Sequence, residues 1–170
     1  ENTAVGRSAL LANTTGNSNV AIGANALDAS VDKNFNVAIG DKALSAQTGD
    51  CYSTAVGDSA MVANTTGAYN IAMGRLALAT NTTGASNTAL GYTALNANTT
   101  ASNNTAVGSS ALTTNTTGAG NTAVGTHAGL YNTTGYAIVA LGTSALQANT
   151  TGASNTAVGN QALDANTTAS

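Results

Sequence analysis

The sequence predicts an all-β protein: a parallel β-solenoid (β-roll) of ten 17-residue coils, filling residues 1–170 as a single repeat array. Three observations predict it. A five-residue phrase, first met as Asn2-Thr3-Ala4-Val5-Gly6, returns every seventeen residues, opening at Asn2, Asn19, Asn36, Ser53, Asn70, Asn87, Asn104, Asn121, Ile138 and Asn155. The phrase alternates strand-forming residues with an alanine found in every copy. A turn phrase rich in Asn, Thr and Gly follows at a constant distance. A fixed short period of this kind overrides the single-globule expectation that the length alone would give.

Numbering each coil from position 1 at the opening residue, position 2 is Thr, Val or Ile, position 3 is Ala in all ten copies, and position 4 is always aliphatic or Met, from Val5 and Ile22 to Leu141 and Val158. Positions 2 to 4 therefore read as a short strand, with position 4 expected inward and the alanine at a close contact. Position 5 is Gly in all ten copies, from Gly6 to Gly159, and marks the first corner. Position 8 is Ala in all ten copies; position 9 is Leu in eight, Met61 in one and Gly129 in one, where Leu130 follows a place late. That pattern predicts a second strand over positions 8 to 11 with its Leu inward. Positions 12 to 15 read Asn-Thr-Thr-Gly in six copies, and end in Ala after Asn98 and Asn166, giving the second corner.

No coil can bury a core alone, so each must stack on the next, at a rise of about 4.8 Å that makes the array on the order of 48 Å long. A helical solenoid is disfavoured, because the breaks leave runs of at most about six residues, half of the ~12 that a free helix needs.

Composition sets limits on function. Only 6% of residues are charged, against roughly 25% in an ordinary domain, and the net charge of −3 offers no basic stripe, so no nucleic-acid partner is expected. No run approaches the ~18 apolar residues of a membrane span, so no membrane insertion is expected within this segment. Cys51 is the one cysteine, which leaves no intrachain disulfide and no multi-cysteine metal site. The charges keep to certain positions: Arg7, Asp41, Asp58 and Arg75 at position 6, Lys42 at 7, Asp28 and Asp164 at 10, Asp32 at 14, Lys33 and Asp50 at 15, and Glu1 at 17. Positions 1 to 5, 8 and 9 carry none, and are read as the interior on the cost of burying unpaired charge.

The phrases Asn19-Val20-Ala21-Ile22-Gly23 and Asn36-Val37-Ala38-Ile39-Gly40 resemble the "SVAIG" repeat of the YadA-like heads of trimeric autotransporter adhesins. The longer run from Asn2 to Gly16 is similar to repeat arrays of phage and bacterial tail fibres. The resemblance covers the whole chain, and implies a left-handed roll, a homotrimer and an extracellular setting on a cell surface or virion fibre. The period exceeds the usual YadA-head repeat by a few residues, which fall in the Asn-Thr-Thr-Gly corner.

Candidate chemistry is sparse. His127 has no carboxylate in its own or either adjacent coil, so no catalytic residue, cofactor or metal site is expected and the chain is not expected to be an enzyme. Calcium-binding rolls need Asp-rich turns, and the Asn-Thr-Thr corners offer no carboxylate. Phe35, Tyr52 and Tyr69 share position 17 in consecutive coils, which stacking would align into a ladder, either stabilising the roll or forming a platform for a host glycan or protein. Asp58 and Arg75, neighbours at position 6, should form an exposed ion pair. The corners at Asn13, Asn64, Asn81, Asn98, Asn115, Asn132, Asn149 and Asn166 match the N-glycosylation acceptor, although Asn and Thr are also good turn residues. Rows of Thr raise an ice-binding reading, against which their adjacent placement at a corner stands.

These features together predict a structural extracellular fibre or adhesin segment, a spacer and display surface that self-associates. The alternative is a binding module acting through coils two to four. The expected trimer rests on the alanine positions, read as supplying more small-residue contact than one narrow roll would use. The segment reads as an excerpt of a longer array.

Overall fold

The computed structural model describes residues 1–49 and 52–170. Asp50 and the lone thiol Cys51 lie outside the described residues. The chain is an all-β solenoid whose ten strands form one parallel sheet in sequence order. They are β1 (Thr3–Val5), β2 (Val20–Ile22), β3 (Val37–Ile39), β4 (Thr54–Val56), β5 (Ile71–Met73), β6 (Thr88–Leu90), β7 (Thr105–Val107), β8 (Thr122–Val124), β9 (Val139–Leu141) and β10 (Thr156–Val158). Pairing follows the seventeen-residue repeat, so that Ala21 sits between Ala4 and Ala38, and Ile22 between Val5 and Ile39. Each strand is three residues long because its hydrogen bonds to the flanking coils run from position 1 to the glycine: Thr3 N donates to Asn19 O at 2.9 Å, and Gly23 N to Val5 O at 2.8 Å.

The glycine at position 5 is required on two counts. Its φ lies between +128° and +138°, a conformation that L side chains rarely adopt. A Cβ on Gly40 would also stand 2.4 Å from Gly57 O in the next coil. Gly159, in the last coil, would meet nothing nearer than Ala162 Cβ at 3.9 Å, so the crowding comes from the stacked neighbour.

The core is narrow. It holds the alanines of positions 3 and 8 and the Leu or Met of position 9, fully buried in all but the end coils. This overturns the expected face of the strand: position 3 points inward, and positions 2 and 4 point out, with Ile22, Met73, Leu90 and Val124 each 37% to 42% exposed. The physical reason is volume. Leu or Met from the opposite wall fills the space under the sheet and leaves room there for a methyl group alone. The alanines are accordingly used up inside one roll, which removes the contact on which the expected trimer was founded.

The second predicted strand is also corrected. Positions 7 and 9 are left-handed, with φ of +49° to +53° at every Leu and Met of position 9. Positions 8 to 11 are therefore turns in place of a strand. The wall still bonds to the next coil, through Leu27 N to Ala43 O at 3.0 Å and Ala63 N to Ala79 O at 3.0 Å. A left-handed Leu costs about 1 to 2 kcal/mol, which its burial, worth roughly 1.5 to 3 kcal/mol, offsets.

At coil eight the missing Leu is not replaced by Leu130, which is half-buried. Ile138, at position 1 of coil nine, is fully buried, and its Cδ1 lies 3.6 Å from where a Gly129 Cβ would stand. An added methyl at Gly129 would also press on Leu112 Cδ2 at 2.9 Å. Gly129 and Ile138 thus form a complementary pair, the smaller residue of one coil matched to the larger residue of the next.

Candidate interaction surfaces

The corners are held by two ladders of buried amides. At position 12, Nδ2 of each Asn donates to Oδ1 of the Asn one coil earlier: Asn81 to Asn64 at 2.8 Å, Asn98 to Asn81 at 2.9 Å, Asn132 to Asn115 at 2.9 Å and Asn149 to Asn132 at 2.7 Å. The same nitrogen donates to the position 15 carbonyl of its own coil, as from Asn81 to Gly84 O at 2.9 Å. That carbonyl also accepts from the position 1 amide, Asn70 Nδ2, at 2.8 Å. Position 1 forms the second ladder, in which a side-chain oxygen accepts from the next coil's backbone: Asn104 N donates to Asn87 Oδ1 at 3.0 Å, and Asn121 N to Asn104 Oδ1 at 2.9 Å. In coils one, five to eight and ten two amides converge in this way on one carbonyl and tie the end of the coil to its beginning.

Six of the eight candidate glycosylation residues, Asn64, Asn81, Asn98, Asn115, Asn132 and Asn149, are fully buried, while Asn13 and Asn166 in the end coils are half-buried. A glycan on any of the six would displace the ladder, because its Nδ2 is already spent on hydrogen bonds within the wall. The Thr rows divide as well. The first Thr of each corner turns its hydroxyl to the next coil, Thr82 Oγ1 donating to Thr99 O at 3.1 Å and Thr133 Oγ1 to Thr150 O at 3.0 Å. The second Thr, such as Thr83 or Thr134, is exposed.

The three rings form the predicted ladder. Phe35 and Tyr52 stack with centroids 5.8 Å apart and planes at 12°, and Tyr52 and Tyr69 at 5.5 Å and 7°. All three are exposed, yet Tyr52 has a neighbour over each face, so solvent reaches ring edges and hydroxyls. A sugar stacks on a ring face, and only the outer faces of Phe35 and Tyr69 remain open to one. The expected ion pair also forms, Arg75 Nε to Asp58 Oδ2 at 3.2 Å. His127 lies in the position 7 turn, half-buried. Among the described residues no three His, Cys, Asp or Glu side chains converge, and no helix is long and apolar enough to cross a membrane.

The surface that sequence reasoning missed is the outer face of the sheet. Its two rows are position 2 (Thr, Val or Ile) and position 4 (Val, Ile, Leu or Met), in register over ten strands. None of the twenty side chains is charged. The signal was present: positions 2 and 4 carry no charge in any coil, as the buried positions do, although they lie outside. Comparison of the chain with protein-family models, with curated proteins and with solved structures found no match.

Proposed function

We propose that this chain is a structural segment of an extracellular fibre, a spacer and display surface whose copies pack together along the outer face of the sheet. One observation carries the reading: an in-register, charge-free face with an aliphatic or Met side chain on every strand stands outside the core. Exposed contiguous apolar surface of this extent marks an interaction site. The face is about 48 Å long and on the order of 12 Å wide, hence roughly 600 Å² per chain, approaching the ~800 Å² per partner of a standard interface. Three copies are the working stoichiometry, supported by the resemblance to YadA-like heads.

Sedimentation tests it. The fibre reading expects an assembly of three 16.4 kDa chains at micromolar concentration, and expects Val107→Lys with Val124→Lys to disperse it to single chains of unchanged circular dichroism. A wild-type chain that stays single at every concentration ends the reading. The second reading, a module that binds a host protein or glycan, draws support from the exposed edges and hydroxyls of Tyr52 and Tyr69. It expects Tyr52→Ala with Tyr69→Ala to abolish binding on a glycan or matrix-protein array, and unchanged binding refutes it.

A further inference from the structure

Copies of a repeat that pack side by side have a register problem. Sliding one chain by a coil, about 4.8 Å, restores nearly every contact on a face built from ten similar strands, just as register is weakly specified in any repetitive strand. A unique alignment needs a feature that does not repeat.

The structure holds such a feature beside the face. Along each coil, position 17 is outward, position 1 is buried, position 2 is outward, position 3 is buried and position 4 is outward. The rings Phe35, Tyr52 and Tyr69 stand exposed, each on a left-handed backbone two residues before the outward Val37, Thr54 and Ile71, at the strand-entry edge of the face and in those coils alone. Elsewhere position 17 is Ser18, Ser86, Asn103, Gly120, Ala137 or Ser154. The opposite flank, past the glycine corner, is also distinctive at this height: position 6 holds Asp41, Asp58 and Arg75 in coils three to five, against Ser109, Thr126 and Thr143 in coils seven to nine.

We propose that the aromatic ladder is the axial register key of the assembly, its partner being a second copy of this chain aligned parallel and level with it. The proposal rests on the self-association reading above. In a rotationally symmetric assembly one flank of each copy meets the other flank of the next. Parallel, in-register alignment brings the ring edges and the hydroxyls of Tyr52 and Tyr69 level with Asp41, Asp58 and Arg75, which are acceptors for the hydroxyls and a cation for the rings. An antiparallel copy would set the ladder against coils six to eight, where position 6 holds Tyr92, Ser109 and Thr126 and no charge. A slip of one coil would uncover a ring on one side and a charge on the other, at a cost that the rest of the face does not impose.

The test substitutes Phe35→Ser, Tyr52→Ser and Tyr69→Ser together. Serine already occupies this position with the same backbone at Ser18, Ser86 and Ser154, where φ is +58°, +58° and +56°, so the roll is retained. A spin label on Thr117→Cys, an exposed corner residue away from the face, in a Cys51→Ser background reports distances between chains, and light scattering reports mass. The register key predicts one narrow distance for the parent chain, and for the triple variant an unchanged mass with components displaced axially by multiples of about 4.8 Å. A single narrow distance in the triple variant would overturn the proposal, and so would a spread of distances in the parent. Dissociation of the triple variant would overturn it too, since the rings would then supply affinity and not register. A parent that is a single chain by mass fails at the earlier step, and takes the self-association reading with it.

Discussion

Coils one to three and coils four to ten share a period and one parallel sheet, yet their second corners are held differently. From Asn64 to Asn166 the position 12 amides form an unbroken ladder. In the first three coils the same position holds Asn13, Ser30 and Gln47, and Asn13 Oδ1, Ser30 Oγ and Gln47 Oε1 are buried without a hydrogen-bond partner. Serine is too short to reach the next coil, and glutamine turns its nitrogen to Gly49 O at 3.2 Å. Turn propensity alone does not make this corner. Its regularity depends on a side chain of one length that presents a donor to the coil before and an acceptor to the coil after. Coils two to four carry the rings and seven of the eleven charges, from Asp28 to Asp58, so the irregular corners overlap the most individual part of the chain.

The difference can be broken from its strong side. Asn98→Asp removes two donors, to Asn81 Oδ1 and to Ala101 O at 3.0 Å, and buries a carboxylate against acceptors. It should cost about 3 to 5 kcal/mol, read by urea unfolding, while Asn17→Asp at an exposed position should leave the midpoint nearly unchanged. Next in size is the Gly129 and Ile138 pair. Gly129→Leu alone should destabilise by roughly 1 to 3 kcal/mol through overpacking against Leu112 and Ile138. Adding Ile138→Asn should recover most of that loss, because it restores both the arrangement of the other coils and the interrupted position 1 ladder. A double-mutant cycle with no coupling would show that the two residues do not answer one another.

The weak side can be repaired. Ser30→Asn supplies an amide that can donate to Asn13 Oδ1, and should stabilise the first coils by about 1 kcal/mol, visible as slower amide exchange in coils one to three. No change there would mean that the corner follows the Asp32 and Lys33 backbone and not the position 12 side chain. The smallest effect belongs to the ion pair: Arg75→Ala should alter stability by no more than about 1 kcal/mol, and less in high salt, because both groups are exposed.

Much of this fold was legible in the sequence. The period located all ten strands, the glycine located a corner with positive φ, and position 17 predicted the ring ladder. The inward face of the strand was not legible, because alternation separates two faces without saying which is inside. Only the opposite wall, where Leu27 and its equivalents fill the interior, decides that. The left-handed leucines were equally hidden, since a Leu has no preference for positive φ and is held there by stacking on both sides. Asparagine at the corner read as a turn residue and a glycan acceptor, and its burial became visible once the coils were stacked. The candidate interface was obscured by the rule that uncharged positions lie inside, which cannot distinguish a core from a surface that another chain covers.

The two methionines allow the most direct test of that last point. Met73 lies on the outer face of β5 and is 41% exposed in a single chain, whereas Met61 is fully buried in position 9. Exposed methionine is oxidised by peroxide to the sulfoxide, and buried methionine is spared. A face covered by another copy predicts that both are protected in the native protein, and that Val107→Lys with Val124→Lys makes Met73 reactive while Met61 stays reduced. Rapid oxidation of Met73 in the native protein would show the face open to solvent and contradict the account.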